Sequence, residues 1–450
     1  MVELNRSGGV AAEAAVLVGV ILKSAPDHGD PLEELAGLAE AAGARVVARL
    51  TQRREKPDPA SYMGRGKLDE LKALVEDVEA DVVIFDNDLS PGQTRNLEKA
   101  FGRKVIDRTE LILDIFANRA RTYEAQLAVE LAQLEYSLPR LKRLWTHLSR
   151  QKKGIGVRGP GEKQLESDRR LVERKIVELK GELLAVHRRR EREVATRSDL
   201  MTVSLVGYTN AGKSTLLNCI TGAGVLEQDA LFSTLDTRTR RWHLPGWGPI
   251  LLSDTVGFIR GLPHHLIASF KATLEESRQA NLLLHVADAS NPAVLDQISA
   301  AYAVLEEIGI EAKSTILVLN KIDKAPSRER LDGLRNRYPN AVSLSARTGA
   351  GIADLAAAVS DALSRSFADV DVEINIENGR LLAYLAAHGE VLSKHYSDSK
   401  VVVHCRIPQK YLGRIAGEPL TVRPHRNGLV LPEPQMPAQI APQMPQEKTA

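Results

Sequence analysis

The stretch GYTNAGKS, residues 207–214, constrains this chain of 450 residues more than any other feature. It matches the pattern GxxxxGK[ST] and lies between an apolar run, MTVSLV, and a helix-like segment, STLLNCI. In such a loop, backbone N–H groups surround phosphate oxygens, while the lysine and the final hydroxyl serve phosphate and Mg²⁺. The stretch predicts a phosphate-binding loop between a strand and a helix of an α/β domain.

A second motif follows about 40 residues later, where PILLSDTVGFI places Asp254 at the end of an apolar strand and Gly257 three positions on. This is the pattern DxxG. A carboxylate here can hold Mg²⁺ through water, and the glycine N–H can point at a terminal phosphate. DxxG is common by itself, but its place after the phosphate-binding loop makes it specific.

A third motif determines which nucleotide base the site accepts. Asn320-Lys321-Ile322-Asp323 follows the apolar run STILVL. The carboxylate of Asp323 can accept hydrogen bonds from the N1–H and exocyclic amine of guanine, whereas adenine would leave this buried acceptor unpaired. Ser345-Ala346-Arg347, after NAVSL, would supply the backbone that contacts the guanine oxygen. The ordered motifs predict a GTP/GDP site with Mg²⁺.

The segment between the first two motifs, LFSTLDTRTRR, is where a switch segment is expected. We predict that Thr234 supplies a hydroxyl to Mg²⁺ together with Ser214. Thr237 and Thr239 remain rivals for this role, since composition alone does not separate three loop threonines.

Position 258, directly after DxxG, is phenylalanine rather than the glutamine that many GTPases use to orient the attacking water. We therefore expect slow intrinsic turnover, completed by a partner or an ion. Asn210 could help to bind K⁺ near the phosphates. Lys213, Thr234 and Gly257 are the expected catalytic residues. The expected nucleotide contacts are Gly207, Tyr208, Thr209, Asn210, Ala211, Gly212, Lys213, Ser214, Thr215, Asp254, Asn320, Lys321, Asp323, Ser345, Ala346 and Arg347.

The remaining sequence predicts a multidomain α/β protein. Short apolar runs alternate with helical patterns over the first 115 or so residues, which favours a largely parallel sheet. After the nucleotide motifs, apolar and helical segments read as strand, helix, strand, strand, and a proline- and glutamine-rich end predicts a disordered tail. The expected divisions are an N-terminal α/β domain (1–115), a helical arm (116–198), a G-domain with a mainly parallel sheet (199–366), a small C-terminal α/β domain (367–431) and the tail (432–450).

Two apolar seams with 4, 3, 4, 3 spacing predict a helical hairpin within the arm. Pro139 should kink or end the first helix. The stretch KKGIGVRGPGEKQLE separates the seams, and its glycines and proline argue against continuous helix. The seams are formed by Leu127, Leu131, Leu134, Leu138 and Leu141, and by Val172, Ile176, Leu179, Leu183 and Val186.

Charge is unevenly distributed along the chain. Residues 139–198 hold 18 Lys or Arg against 8 Asp or Glu, a local net charge of +10, so the remaining residues sum to −8 within a total of +2. A basic segment on an otherwise acidic protein is typical of a polyanion contact. The candidate RNA-binding residues in its glycine-rich loop are Lys152, Lys153, Arg158 and Lys163.

Two distant cysteines, Cys219 and Cys405, give neither a disulfide framework nor a metal-ligand spacing, which favours a reducing cytoplasm. The apolar stretch Val10–Leu22 is too short to span a bilayer, so membrane insertion is not expected. GRGKLDE, residues 64–70, is interpreted as a turn into a helix rather than a second nucleotide site. We expect His264-His265 to be a surface pair, and the protein to be a monomer.

Beside GYTNAGKS, DTVGFI and NKID, the chain contains YMGRGKLDEL, VIFDNDLSPGQTRNLE, VIDRTELILDIFANRARTYEAQLAVELAQLEY and GVRGPGEKQLESDRR. Together these stretches closely resemble the HflX GTPases, translation-associated members of the P-loop GTPase class. The resemblance extends to about Leu431. The stretches outside the nucleotide motifs are the more specific to this family.

The resemblance implies the same division into an N-terminal α/β domain, a helical arm, a G-domain and a small C-terminal domain. It further implies binding to the 50S subunit and to 70S ribosomes, with stalled ribosomes split under stress. The loop 154–161 matches the family's tip that contacts ribosomal RNA, and residues from 432 onwards have no counterpart. The matched nucleotide positions are Gly207, Asn210, Lys213, Ser214, Thr234, Asp254, Gly257, Asn320, Lys321 and Asp323.

Two other functions stay open on the sequence. In one, the basic helices are a solvated coiled coil that docks a protein partner, and binding would depend weakly on salt, unlike RNA binding through phosphates. In the other, the protein is an ATP-driven RNA remodeller. That function would require a second nucleotide site in residues 1–115, where no phosphate-binding loop motif occurs.

Overall fold

The computed structural model describes residues 10–22, 30–144, 160–196, 200–222, 231–232, 237–245, 248–260, 276–307, 309–310, 314–365, 367–397, 399–408, 411–412 and 420–425. The chain divides into two compact units, Met1–Leu363 and Ser364–Ala450. The described residues form three sheets, two in the first unit and one in the second. The expected multidomain α/β fold is confirmed. No helix among these residues is long and apolar enough to cross a membrane.

The N-terminal sheet is entirely parallel, with strand order β2-β1-β3-β4. Its central strands are apolar along most of their length because helices cover both faces. The segment 64–70 is a turn into a helix, as predicted. The elements are β1 (Ala14–Leu22), α1 (Glu33–Ala41), β2 (Arg45–Arg54), α2 (Arg65–Asp77), β3 (Val82–Phe85), α3 (Pro91–Phe101), β4 (Lys104–Asp107) and α4 (Arg108–Arg119).

Helices α5 (Tyr123–Leu144) and α6 (Pro160–Thr196) pack against each other through the two predicted seams. The opposite face of α5 contacts the N-terminal core through Ala125, Val129 and Ala132, which the seam pattern did not predict. The buried residues between the helices are Leu127, Ala128, Leu131, Ile176, Leu179 and Leu183, with Leu134, Leu138, Val172 and Val186 partly buried beside them.

One of the two outcomes expected at Pro139, a helix end, does not occur. Helix α5 continues past Pro139 to Leu144, since packing on two faces offsets the missing backbone donor. The glycine-rich stretch is helical from Pro160 onwards, because proline suits the first turn of a helix. Lys163 therefore lies within α6, whereas Lys152, Lys153 and Arg158 lie outside the described residues.

The G-domain sheet has the order β10-β9-β8-β5-β7-β6, and only the edge pair β6–β7 is antiparallel. The carboxyl ends of β5, β7 and β9 meet at one edge of the sheet, which brings the three nucleotide motifs together. The elements are β5 (Thr202–Gly207), α7 (Lys213–Thr221), β6 (Arg238–Leu244), β7 (Gly248–Asp254), β8 (Leu282–Asp288), α8 (Val294–Glu307), β9 (Thr315–Asn320), α9 (Arg328–Arg337), β10 (Val342–Ser343) and α10 (Ile352–Ser364).

The second unit is an antiparallel sheet of order β12-β13-β11-β14 with one face packed on α11. The predicted order of elements, strand, helix, strand and strand, is confirmed by β11, α11, β12 and β13. Strand β14 was not predicted, because its four residues are all exposed and carry no apolar alternation. The elements are β11 (Phe367–Asn375), α11 (Gly379–His388), β12 (Glu390–Ser397), β13 (Lys400–Pro408) and β14 (Thr421–Pro424).

Replacement of Leu179 by alanine tests the hairpin seam. Leu179 is 1% exposed between α5 and α6, so Leu179→Ala should destabilise the hairpin by about 2–5 kcal/mol. Leu184, 52% exposed on the same helix, is the matched control and should tolerate alanine with little loss. Amide hydrogen exchange across residues 172–186, followed as a function of urea, measures both effects. Equal losses in the two variants would contradict the packing.

Candidate nucleotide site

The phosphate-binding loop joins β5 to α7 and depends on glycine at both ends. Gly207 and Gly212 have φ angles of +142° and +89°. A Cβ at Gly207 would lie 2.1 Å from the Val286 carbonyl oxygen, so no side chain fits there. The loop ends at the first turn of α7, where backbone N–H groups without helical partners favour phosphate.

Lys213, the first residue of α7, is buried beneath this loop. Its Nζ donates to the carbonyl oxygens of Gly207, at 3.1 Å, and Tyr208, at 2.9 Å. Burial lowers the pKa of Lys213 to about 8, although the charge of Asp254 acts in the opposite direction. Phosphate oxygens near this ammonium would stabilise its protonated form.

Ser214 and Asp254 meet at the base of the site. The Ser214 hydroxyl donates to Asp254 Oδ2 at 2.6 Å, and the carboxylate is fully buried at the end of β7. A hydroxyl beside a carboxylate suits Mg²⁺, which prefers oxygen ligands and keeps several of its waters.

The rival threonines of the switch segment have other contacts. Thr237 and Thr239 donate to the carboxylate of Glu276, at 3.3 and 3.4 Å, and Thr239 lies within β6. Thr234, the predicted Mg²⁺ ligand, lies outside the described residues.

The DxxG glycine lies directly against the phosphate-binding loop. A Cβ on Gly257 would be 2.6 Å from Thr209 Cα and 3.0 Å from Lys213 Nζ, so only glycine brings this backbone so close. The neighbouring Phe258 donates its N–H to the Gly207 carbonyl at 3.0 Å, and its carbonyl accepts from Thr209 N at 2.7 Å. The Phe258 ring is buried in the G-domain core, where it cannot orient water.

Asn320 links the base-selecting motif to the phosphate-binding loop. Its Nδ2 donates to the Ala211 carbonyl at 2.9 Å, and its Oδ1 accepts from Ala346 N at 3.0 Å. Lys321 has a φ of +61° and pairs with Asp288 at 2.8 Å. The amide of Asn320 therefore fixes the relative positions of three segments of the site.

Asp323 has two side-chain partners. Its Oδ1 accepts from the Ser345 hydroxyl at 2.7 Å, and its Oδ2 accepts from Arg347 Nη2 at 2.6 Å. The Ser345 hydrogen bond, followed by smaller contributions that include Arg347, lowers the pKa of Asp323, which keeps the acceptor ionised. The sequence suggested only a backbone role for Arg347, and missed the contact of its side chain with the base-selecting carboxylate.

The nucleotide motifs contact the N-terminal domain through a polar network that the sequence did not reveal. The Tyr208 hydroxyl donates to Glu34 Oε2 and accepts from Arg260 N, each at 2.7 Å. Arg108, only 5% exposed, donates to Glu34, to Asp86 Oδ1 at 2.6 Å and to the Arg260 carbonyl at 3.1 Å. Burial, and then the Glu34 charge, raise the pKa of the Tyr208 phenol.

The switch segment contacts the same domain through Phe232. Its N–H donates to Thr209 Oγ1 at 2.8 Å, and its ring packs edge-on against Phe116 of α4, with centroids 4.6 Å apart. The sequence indicates such a contact only by placing a large apolar side chain, Phe232, within a polar loop. The partner, Phe116, is more than a hundred residues away and could not be inferred from that pattern.

Three family models match successive parts of the chain. They are described as GTP-binding GTPase N-terminal, for residues 29–117, GTP-binding GTPase Middle Region, for 119–197, and 50S ribosome-binding GTPase, for 202–321. The GTPase HflX of Escherichia coli (strain K12) is 50% identical over 374 residues, covering 82% of this chain and 88% of that relative. The GTPase HflX of Lacrimispora saccharolytica is 43% identical over 406 residues, covering 90% and 96%.

One similar solved structure is a GTP-binding protein from the hyperthermophilic archaeon Sulfolobus solfataricus in complex with GDP. It is 25% identical, covers 78% of this chain and 99% of that chain, and gives a TM-score of 0.42.

Asp323→Asn tests the base pocket. Loss of a charged acceptor should weaken GDP binding about 10- to 100-fold, since a hydrogen bond to a charged group contributes about 1.5–3 kcal/mol. The variant should gain affinity for xanthosine diphosphate, whose 2-oxo group can accept from the new amide. Isothermal titration with both nucleotides measures this change of preference.

The matched control is Asp332→Asn on α9, where the side chain is 65% exposed and pairs with Arg335. It should bind GDP as the unaltered chain does. Equal GDP affinity in both variants would remove Asp323 from the base pocket.

Proposed function

Because this chain belongs to the HflX family of GTPases, we propose that it binds the 50S subunit and 70S ribosomes and dissociates stalled or idle ribosomes under stress. The chain binds guanine nucleotides and is a GTPase. The observation that supports the ribosomal partner is the match of residues 202–321 to a 50S ribosome-binding GTPase. In this proposal GTP hydrolysis resets the bound state.

The residues proposed for hydrolysis surround the phosphate-binding loop. Ser214 and Thr234 would hold Mg²⁺ through their hydroxyls, and Asp254 through water; when bound, the ion neutralises phosphate charge. Lys213 would place its positive charge on the β- and γ-phosphates, and Gly257 would direct its backbone N–H at the γ-phosphate.

Phe258 stands where many GTPases have a glutamine and is buried in the core, so its side chain does not orient the attacking water. We therefore propose slow intrinsic hydrolysis that the ribosome stimulates, with Asn210 contributing to a K⁺ site. Equal turnover in potassium and sodium buffers would remove the K⁺ site from the proposal.

The helical hairpin is the proposed contact with ribosomal RNA. Residues 139–198 carry a net charge of +10, and the glycine-rich stretch 154–161 falls in the sequence between the two apolar seams. Lys152, Lys153, Arg158 and Lys163 would meet RNA phosphates, and the loop glycines would allow close approach to folded RNA. We also propose that the protein acts as a cytoplasmic monomer, with the five divisions given above.

A protein-partner switch is the second candidate function. The observation that favours it is a set of exposed apolar side chains on α6, Leu171, Val177 and Leu184, which are 61%, 71% and 52% exposed. An apolar helix interface of this kind would depend little on salt, whereas RNA binding through several phosphates would weaken steeply.

The test measures GTP hydrolysis with and without purified 50S subunits. We expect stimulation of tenfold or more, because a partner must complete the catalytic arrangement. A variant with Lys152, Lys153 and Arg158 changed to glutamine should lose most of this stimulation at moderate salt. Light scattering of 70S ribosomes with GTP measures dissociation in the same samples.

The matched control changes Arg174, Lys175 and Lys180, within α6, to glutamine, which removes the same charge outside the loop. It should retain the stimulation. Absence of any stimulation by 50S subunits would favour the protein-partner switch, and equal losses in the two triple variants would show that only overall charge matters.

A further inference from the structure

The second unit carries a group of imidazoles and carboxylates on the face of its sheet opposite the apolar core. Asp369 and Asp371 lie on β11, His404 lies on β13, and His425 directly follows β14. His404 Nε2 is 2.7 Å from Asp369 Oδ1, and His425 Nδ1 is 3.0 Å from both oxygens of Asp371. Since β11 lies between β13 and β14, the two histidines approach it from opposite sides.

The two imidazole rings meet above β11. Their centroids are 3.6 Å apart and their planes differ by 15°, so they are stacked. One ligand atom from each of Asp371, His404 and His425 lies within 4.8 Å of the other two. Within the part of the chain that the structure describes, these residues form the one such group of histidine, cysteine or acidic side chains, and all three are half-buried.

We propose that Asp371, His404 and His425 bind a divalent transition metal ion of the zinc type. Two imidazole nitrogens with a carboxylate oxygen form a ligand set that zinc takes in three-residue sites, with a fourth position left to water or another ligand. Mg²⁺ is disfavoured because it prefers oxygen ligands. This site therefore differs in chemistry from the nucleotide site.

The spacing of the ligand atoms suits such an ion after a small side-chain movement. Tetrahedral zinc with ligand distances of about 2.0–2.1 Å holds its ligand atoms roughly 3.4 Å apart. Atoms within 4.8 Å of one another need to close by roughly 1.4 Å at most, which side-chain torsions can supply. Asp369, which is hydrogen-bonded to His404, provides a second negative charge beside that of Asp371, so the two carboxylates balance the charge of a divalent cation.

The sheet fixes where these side chains stand. Asp371 is directly opposite His404 in the β11–β13 pair, and the alternate residues Val370, Val372 and Val403 are buried on the other face. His425 donates its N–H to the Asp369 carbonyl at 2.9 Å, which extends the pairing of β14 by one residue. A shift of one residue in the register of the strand pairing would move these side chains to the apolar face of the sheet.

A bound ion would tie β14 to the rest of the sheet. All four residues of β14 are exposed, so burial of side chains contributes little to holding this strand. A metal shared by β11, β13 and the residue after β14 would link all three. The same side chains could instead form two cross-strand imidazole–carboxylate pairs without any metal, and the test separates these cases.

The experiment uses the full chain saturated with GDP and Mg²⁺, so that the nucleotide site is occupied, and adds Co²⁺ as the spectroscopic probe. We expect visible absorption bands of tetrahedral cobalt that saturate at one equivalent and disappear on addition of Zn²⁺. A double variant, His404→Gln with His425→Gln, should lack the bands. His395→Gln, an exposed histidine on β12, is the control and should keep them.

A second measurement guards against loss of folding in the double variant. Zn²⁺ should slow amide hydrogen exchange of residues 421–423 at least several-fold in the unaltered chain and have no such effect in Asp371→Asn, while GDP binding stays equal in both. Absence of the cobalt bands in the unaltered chain, or their persistence in the double variant, would overturn the proposal. Neither result depends on ribosome binding, so the two proposals can fail separately.

Discussion

The hydroxyl of Tyr208 is the contact on which the arrangement of the first unit depends. This residue belongs to the phosphate-binding loop, yet its phenol accepts from the backbone of Arg260, beyond DxxG, and donates to Glu34 of the N-terminal domain. Glu34 is held in turn by Arg108, a buried guanidinium that also pairs with Asp86. Removing one partner from such a buried network leaves an uncompensated charge, so the contacts should form or break together.

Movement of the segment after Asp254 would therefore reach the N-terminal domain, and that domain also holds the helical hairpin. Asp107, at the end of β4, accepts from Tyr136 at 2.7 Å and from Arg140 at 2.8 Å, and both partners lie on α5. The polar contacts and the packing of α5 form a continuous path from the phosphate-binding loop to the hairpin. A two-state switch segment could use this path to change the hairpin's position.

The sequence predicted those parts of the fold and site that depend on short-range patterns. Neighbouring residues alone indicate the glycine-rich loop between strand and helix, the order of the nucleotide motifs and the two apolar seams. The structure contains each of these features. The local pattern also predicted a kink or an end of the helix at Pro139; the helix does not end there, because packing on both faces of α5 holds it as far as Leu144.

Contacts between distant residues could not be predicted in this way. Tyr208 and Glu34 are 174 positions apart, and nothing in the pattern around either residue indicates the other. The approach of the Arg347 side chain to Asp323 depends on how two loops meet at the sheet edge. Strand β14 is held by pairing with β11 rather than by burial of its own side chains, so it leaves no apolar pattern.

The most direct measurement is amide hydrogen exchange of α1, Glu33–Ala41, with GDP and with a non-hydrolysable GTP analogue, in the unaltered chain and in Tyr208→Phe. Tyr302→Phe, on the partly exposed face of α8, serves as the matched control. If the phenol couples the nucleotide site to the N-terminal domain, α1 should exchange differently with the two nucleotides in the unaltered chain and in the control, and this difference should vanish in Tyr208→Phe. Equal exchange with both nucleotides in the unaltered chain, or a difference that survives in Tyr208→Phe, would contradict the account.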